Sequence, residues 1–107
     1  MNTEEEYLKL LRKINNDPKI SQRNLSDELD MSLGKINYCL KALKSKGLIK
    51  IKNFKKREEK IKYLYYLTPK GILEKTNITL RFMKLKMKEY EELKNELSRN
   101  KKNKTKS

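Results

Sequence analysis

The sequence predicts a mainly α fold with a small β-hairpin (α+β): three helices, a two-stranded hairpin and one long C-terminal helix. Three observations predict it. Apolar residues recur at helical spacing in three successive segments before Gly47. Between Leu48 and Leu67 the period falls to two, the spacing of a strand. After Thr68-Pro69 the helical period returns and holds to about Ser98.

The first helix is expected from Thr3 to Ile14. Thr3 with Glu6 has the spacing of a capping box, and three glutamates stand where the helix dipole favours negative charge. Leu8, Leu11 and Ile14, flanked by Tyr7 and Leu10, form its apolar stripe, and Asn15-Asn16-Asp17-Pro18 ends it. Ser21 starts a short second helix, Gln22 to Leu29, with Ile20, Leu25 and Leu29 inward. Asp30-Met31-Ser32 is the turn. Ser32 caps a third helix, Leu33 to Lys46, whose core positions are Ile36, Leu40 and Leu43. Gly47 follows where a left-handed C′ glycine belongs.

Leu48 to Lys52 reads as one strand, Phe54 to Lys60 as a basic connection, and Ile61 to Leu67 as the second strand. Thr68-Pro69 is a strong helix start, a capping threonine with proline at the first helical position. Gly71 weakens the first turn of that fourth helix without preventing it. Residues 1–68 and 69–98 therefore divide into a compact domain and a C-terminal helix. Residues 99–107, RNKKNKTKS, contain no apolar side chain and are expected to be a disordered basic tail.

Charge narrows the function. The 107 residues carry 28 Lys+Arg against 14 Asp+Glu, a net charge of +14, which suits a polyanionic partner. Codon bias in an A+T-rich genome would spread lysine evenly. Here residues 1–31 are net acidic, residues 32–49 hold four lysines and no acid, and residues 50–62 hold 7 bases and 2 acids. The excess is thus placed on the third helix, the hairpin and the tail. With no histidine and one cysteine, Cys39, there is no internal disulfide and no Cys/His metal cluster, and no cofactor is expected. No segment has the apolar length of a membrane span, and the acidic N-terminus is unlike a secretory signal, so a cytoplasmic protein is expected. A glycine-rich phosphate loop, a nucleophile elbow and paired carboxylates in an apolar setting are all missing, which argues against an enzyme.

Helix, helix, turn, helix and basic hairpin, in that order, make a winged helix-turn-helix domain. In that geometry the third helix enters the major groove of DNA and the hairpin reaches phosphates alongside. At roughly 100° per residue, Gly34, Tyr38, Lys41 and Ser45 face away from the core side set by Ile36, Leu40 and Leu43, and Lys35 and Asn37 flank them. Lys35 and Tyr38, with Asn37, are assigned to base or near-base contacts, and Ser32 and Lys41 to phosphate. Ser21, Gln22 and Arg23 open the second helix, whose free N–H groups can hold a phosphate; simple capping by Ser21 is compatible with that. Lys55, Lys56 and Arg57 are the phosphate or minor-groove candidates of the wing, beside Glu58 and Glu59. Cys39 reads as a small core-shoulder residue rather than a redox sensor. On the fourth helix, Leu80, Met83, Met87, Tyr90 and Leu97 follow heptad spacing, broken by Lys94 with Leu93 adjacent, and suggest dimerisation. The early residues Ile72, Leu73 and Leu80 are expected to pack on the domain. Bases early in the helix (Arg81, Lys84, Lys86, Lys88) and glutamates late (Glu89, Glu91, Glu92, Glu96) leave antiparallel pairing open beside parallel.

The stretch ISQRNLSDELDMSLGKINYCLKALKSKGLIKIKNF (residues 20–54) resembles the winged-helix core of the MarR family of bacterial regulators. LTPKG (residues 67–71) is similar to that family's link from wing to helix, and ITLRFMKLKMKEYEELKNEL (residues 78–97) to a branch associated with exopolysaccharide loci. The resemblance implies sequence-specific DNA binding as a homodimer and control of exopolysaccharide-related genes, with Leu33–Lys46 as recognition helix and Phe54–Lys60 as wing; a two-fold dimer would take a palindromic operator. Typical members have dimerising helices at both ends and a ligand pocket between them and the DNA-binding region. Only one helix follows the wing here, which argues against an effector pocket of that kind. The competing function is a winged-helix adaptor whose C-terminal helix binds another protein without reading DNA. The basic third helix and wing favour DNA, because an adaptor would more often carry an apolar patch there. RNA ranks below both, for want of a stacking platform beyond Tyr38 and the strand tyrosines.

Overall fold

A computed structural model describes the backbone over residues 3–55 and 61–105 and the side chains over residues 3–53 and 63–101. Its elements run α1 (Thr3–Asn16), α2 (Gln22–Leu29), α3 (Leu33–Ser45), β1 (Ile49–Lys55), β2 (Ile61–Leu67) and α4 (Pro69–Thr105). This is the winged helix-turn-helix fold followed by a long C-terminal helix.

The three short helices close around one core. Leu10, Leu11 and Ile14 of α1 meet Leu25 and Leu29 of α2 and Ile36, Cys39, Leu40 and Leu43 of α3. The stripe on α1 is rotated from the expected one: Leu10 is in the core, whereas Leu8 is half-buried. Glu6 does not close a capping box. It continues the Leu10–Ile14 row one turn earlier, is buried, and turns toward α3, while Thr3 already lies inside the helix.

The turns follow local chemistry. Ser21 and Ser32 cap α2 and α3 through Asn24 N–H at 3.0 Å and Lys35 N–H at 3.1 Å. Asp30 takes the left-handed conformation (φ 54°) that ends α2, one of the few non-glycine residues suited to it. At the end of α3, Gly47 N–H donates to Lys44 C=O and Leu48 N–H to Leu43 C=O, both at 2.9 Å, which is a Schellman cap. Gly47 has φ 74° with open space where a Cβ would stand. Gly47→Ala should therefore cost only backbone strain, about 1 kcal/mol, read as a small fall in the urea midpoint at unchanged m.

β1 and β2 pair antiparallel with Ile49 opposite Leu67, Ile51 opposite Tyr65 and Asn53 opposite Tyr63. Ile49 and Tyr65 face the core. Strand β1 is longer than its alternating pattern announced: Phe54 and Lys55 pair with Lys62 and Ile61 rather than belonging to the connection. Pairing extends the ladder past Ile51, the last apolar residue of the alternation, which periodicity alone cannot see. The open edge of β2 is tied down by Tyr65 N–H donating to Pro18 C=O at 2.9 Å.

Helix α4 leaves the domain from a tight joint. Thr68 N–H donates to Leu48 C=O at 3.0 Å, its hydroxyl to Gly47 C=O at 2.6 Å, and it accepts from Gly71 N–H at 3.0 Å. Its packing face differs from the expected one. Ile72, Leu73 and Leu80 are exposed, whereas Gly71 and Ile78 are buried. Arg81 reinforces that face by bonding Glu4 of α1 at 2.7 Å and Glu74 at 3.3 Å. The helix also continues past Ser98 to Thr105, where a disordered tail was expected. Lysine, arginine and asparagine there offer no glycine or proline to stop a helix already propagating. The result is an elongated molecule, 74 × 26 × 20 Å.

Candidate nucleic-acid interface

The candidate surface is built on α3. Its buried side is anchored by Ile36, Leu40 and Leu43, so residues on the opposite side must face out. Gly34, Tyr38, Lys41 and Ser45 do so, and Tyr38 is 70% exposed. Tyr38 and Lys41 carry no hydrogen bond or ion pair among the described residues. A hydroxyl and an ammonium are thus presented to solvent on a helix with no acidic side chain.

The two flanking positions are engaged differently. Lys35 Nζ lies 3.2 Å from Glu6 Oε2, and the glutamate is only 6% exposed. The hydrogen bond and charge of Glu6 raise the Lys35 pKa above the ordinary lysine value, so it stays cationic well past neutral pH. On the other flank, Asn37 Nδ2 donates to Gln22 Oε1 at 3.4 Å, and Gln22 Nε2 donates to the Tyr65 hydroxyl at 3.3 Å. Tyr65 is buried. One amide side chain therefore joins α2, α3 and β2. The base-contact expectation for Lys35 and Asn37 meets side chains that fasten the helix to its neighbours.

The remaining positions form the frame. Ser21, Arg23 and Ser32 are exposed, and the two serine hydroxyls cap their helices while keeping a proton to donate. Gln22 spends its side chain on the strut, which leaves its backbone N–H at the start of α2. Lys55 ends β1, its side chain lying outside the described residues, as do Lys56 and Arg57 altogether. Lys50 and Lys52 lie on the outer side of the hairpin, Lys52 Nζ 5.8 Å from the Tyr66 ring. Cys39 is in the core, and burial pushes its thiol pKa up, which opposes thiolate chemistry.

Sequence reasoning missed Glu6, Tyr65, Gly71 and Ile78. Glu6 had a signal, since it stands four residues before Leu10 on the same face. Tyr65 had one too, as the strand residue two before Leu67. Among the described residues no group of three or more His, Cys, Asp or Glu could hold a metal ion, and no helix is long and apolar enough to cross a membrane.

Comparison with known proteins agrees with this geometry. A family profile described as winged helix-turn-helix DNA-binding matches residues 8–50. No curated protein is significantly similar in sequence. Among solved structures, Staphylococcus aureus MarR in complex with salicylate and kanamycin superposes with a TM-score of 0.61 at 22% identity, covering 81% of this chain and 57% of that one. Streptococcus pneumoniae FabT in complex with DNA gives 0.56 at 23% identity, covering 79% and 57%. A mutant of S. aureus MepR bound to an oligodeoxyribonucleotide gives 0.61 at 20% identity, covering 92% and 75%. The chain spans a little over half the length of the first two. The fold is thus the winged helix-turn-helix that these structures share.

Proposed function

We propose that this chain is a sequence-specific, double-stranded DNA-binding transcriptional regulator that acts as a homodimer on a palindromic operator. One observation carries the reading: the outward face of α3 presents Tyr38 and Lys41 without a partner among the described residues and free of acid, while its flanks are fastened to α1 and α2. A helix so held is suited to a groove, because its orientation is set before DNA arrives. FabT and MepR, which share the fold, were each solved with DNA or an oligodeoxyribonucleotide. Tyr38 is the base reader in this proposal, Lys41 and Ser32 hold phosphate, and Ser21, Gln22 and Arg23 offer the N-terminus of α2 to the backbone. Lys55, Lys56 and Arg57 supply the wing. Lys35 is left out of the contact set, because its ammonium already has a buried partner.

Dimerisation falls to the exposed row Leu80, Met83, Met87, Tyr90, Leu93 and Leu97. Control of exopolysaccharide-related genes is the finer reading and rests on the resemblance of residues 78–97. A cytoplasmic place and a non-enzymatic role follow from the regulator reading.

Gel shifts against the protein's own upstream region test the proposal. Tyr38→Ala should lower affinity for the retained fragment about 10- to 100-fold while leaving random DNA unchanged. Lys41→Ala should weaken both alike and flatten the slope of log K against log salt by about 0.9. Equal binding of all fragments that vanishes with salt would remove the regulator reading and turn attention to α4 as an adaptor surface.

A further inference from the structure

We infer that Glu6 is a positioning residue of the DNA-binding surface: it holds Lys35 out of the phosphate-contacting set and so limits sequence-independent affinity. The inference rests on the DNA-binding reading above. Lys35 is fixed at both ends, its backbone N–H on Ser32 Oγ at 3.1 Å and its ammonium on Glu6 Oε2 at 3.2 Å. The lysine is half-exposed, so DNA could reach it; the glutamate side chain is 8% exposed. For Lys35 to bind a phosphate it must abandon a buried carboxylate that has no other hydrogen-bond or ion-pair partner among the described residues. Stranding such a charge costs more than one exposed phosphate contact returns. Lys35 is therefore a cation in the sequence but half of a neutral pair at the surface.

The consequence lies in selectivity. Helix α3 has Lys35, Lys41 and Lys44 and no acid of its own. The balancing charge comes from α1, at the N-terminal turn that enters a groove first. A free ammonium there would attract every phosphate backbone equally. The pair subtracts that attraction and leaves Tyr38 to discriminate.

The test uses the full chain with Glu6→Met, Lys35→Met and the double variant. Methionine removes the acceptor or the charge without leaving a polar atom in the apolar surroundings. Affinity is measured by fluorescence anisotropy on the upstream region and on a random duplex, across a salt series. Glu6→Met should steepen the slope of log K against log salt by about 0.9 on both duplexes, one phosphate more, and narrow the ratio between them. Lys35→Met should leave the wild-type slope unchanged, and the double variant should return to it. A purely structural Glu6 would not produce that reversal. A flatter slope for Lys35→Met overturns the inference while the DNA reading stands. An unchanged slope for Glu6→Met overturns it likewise. Wild-type protein that binds neither duplex overturns the DNA reading and this inference together. Thermal melting gives a check without DNA: Lys35→Met should melt below the double variant, since it alone keeps a buried carboxylate unpaired. Equal melting of the two would show that the pair does not form.

Discussion

Gly71→Ala is expected to lower the melting temperature by more than about 10 °C. A Cβ built on Gly71 stands 1.9 Å from the Leu48 carbonyl oxygen and 2.9 Å from its carbon. Both are backbone atoms held by the Schellman cap of α3, so neither can swing aside as a side-chain end would. Helix propensity works the other way, since alanine gains roughly 1 kcal/mol over glycine in a helix. Overpacking against fixed backbone costs about 1–3 kcal/mol or more. Relief requires α4 to withdraw, which breaks the bonds from Thr68 to Leu48 and Gly47. The sum exceeds the propensity gain and is a large share of the roughly 5–15 kcal/mol that holds a domain folded. Circular dichroism melting checks it; an unchanged or raised melting temperature would show that the joint is looser than described. The contrast with Gly47→Ala separates a glycine needed for its backbone angle from one needed for its missing atom.

Met87→Asp combined with Tyr90→Asp is expected to turn a dimer into a monomer and to weaken operator binding by about 10²- to 10⁴-fold. Leu80, Met83, Met87, Tyr90, Leu93 and Leu97 are all more than half exposed along one helix. That is far more apolar surface than a solvated helix carries for its own stability. Leu80, Met83 and Met87 lie roughly opposite Ile78, the residue that seats α4 on the domain, and Tyr90, Leu93 and Leu97 lie three or more turns beyond it, so a second copy can use the row without displacing Ile78. Two linked recognition helices bind two half-sites with the second step made intramolecular, and a monomer loses that advantage. Light scattering with size exclusion reports the mass, and gel shift the affinity. The variant should keep its helix signal, because both residues lie outside the core. A variant that remains dimeric would place the interface elsewhere.

The fold was largely legible from periodicity and caps. Ser32 and Gly47 bracket α3, Ile36, Leu40 and Leu43 mark its buried side, and Thr68-Pro69 starts α4, all as the sequence indicates. What escaped reading was tertiary. Glu6 looks like an N-terminal cap until α3 delivers Lys35 beside it. Gly71 looks like a mild helix defect until Leu48 arrives from a distant turn. Ile72 and Leu73 carry the apolar character expected of a packing face, yet Gly71 sets which way the helix turns, and Ile78 is seated instead. Of the candidate site, Tyr38 and Lys41 face outward as the wheel predicts, whereas Lys35 and Asn37 are drawn to neighbouring helices. A wheel gives direction but not which partners stand there.

Because α4 is one uninterrupted helix seated on the domain from Gly71 through Ile78 to Arg81, its remaining length is a lever arm. From Arg81 to Lys101 it spans about 30 Å at about 1.5 Å per residue. A tilt of about 7° at the seat carries the far end by about 4 Å, close to the rise of one base pair, about 3.4 Å. In a dimer joined along α4, that magnification links the fit of a few atoms beside Leu48 to the distance between two reading heads. In the proposed dimer, operator spacing is then a property of the joint as much as of the helix proposed to touch DNA.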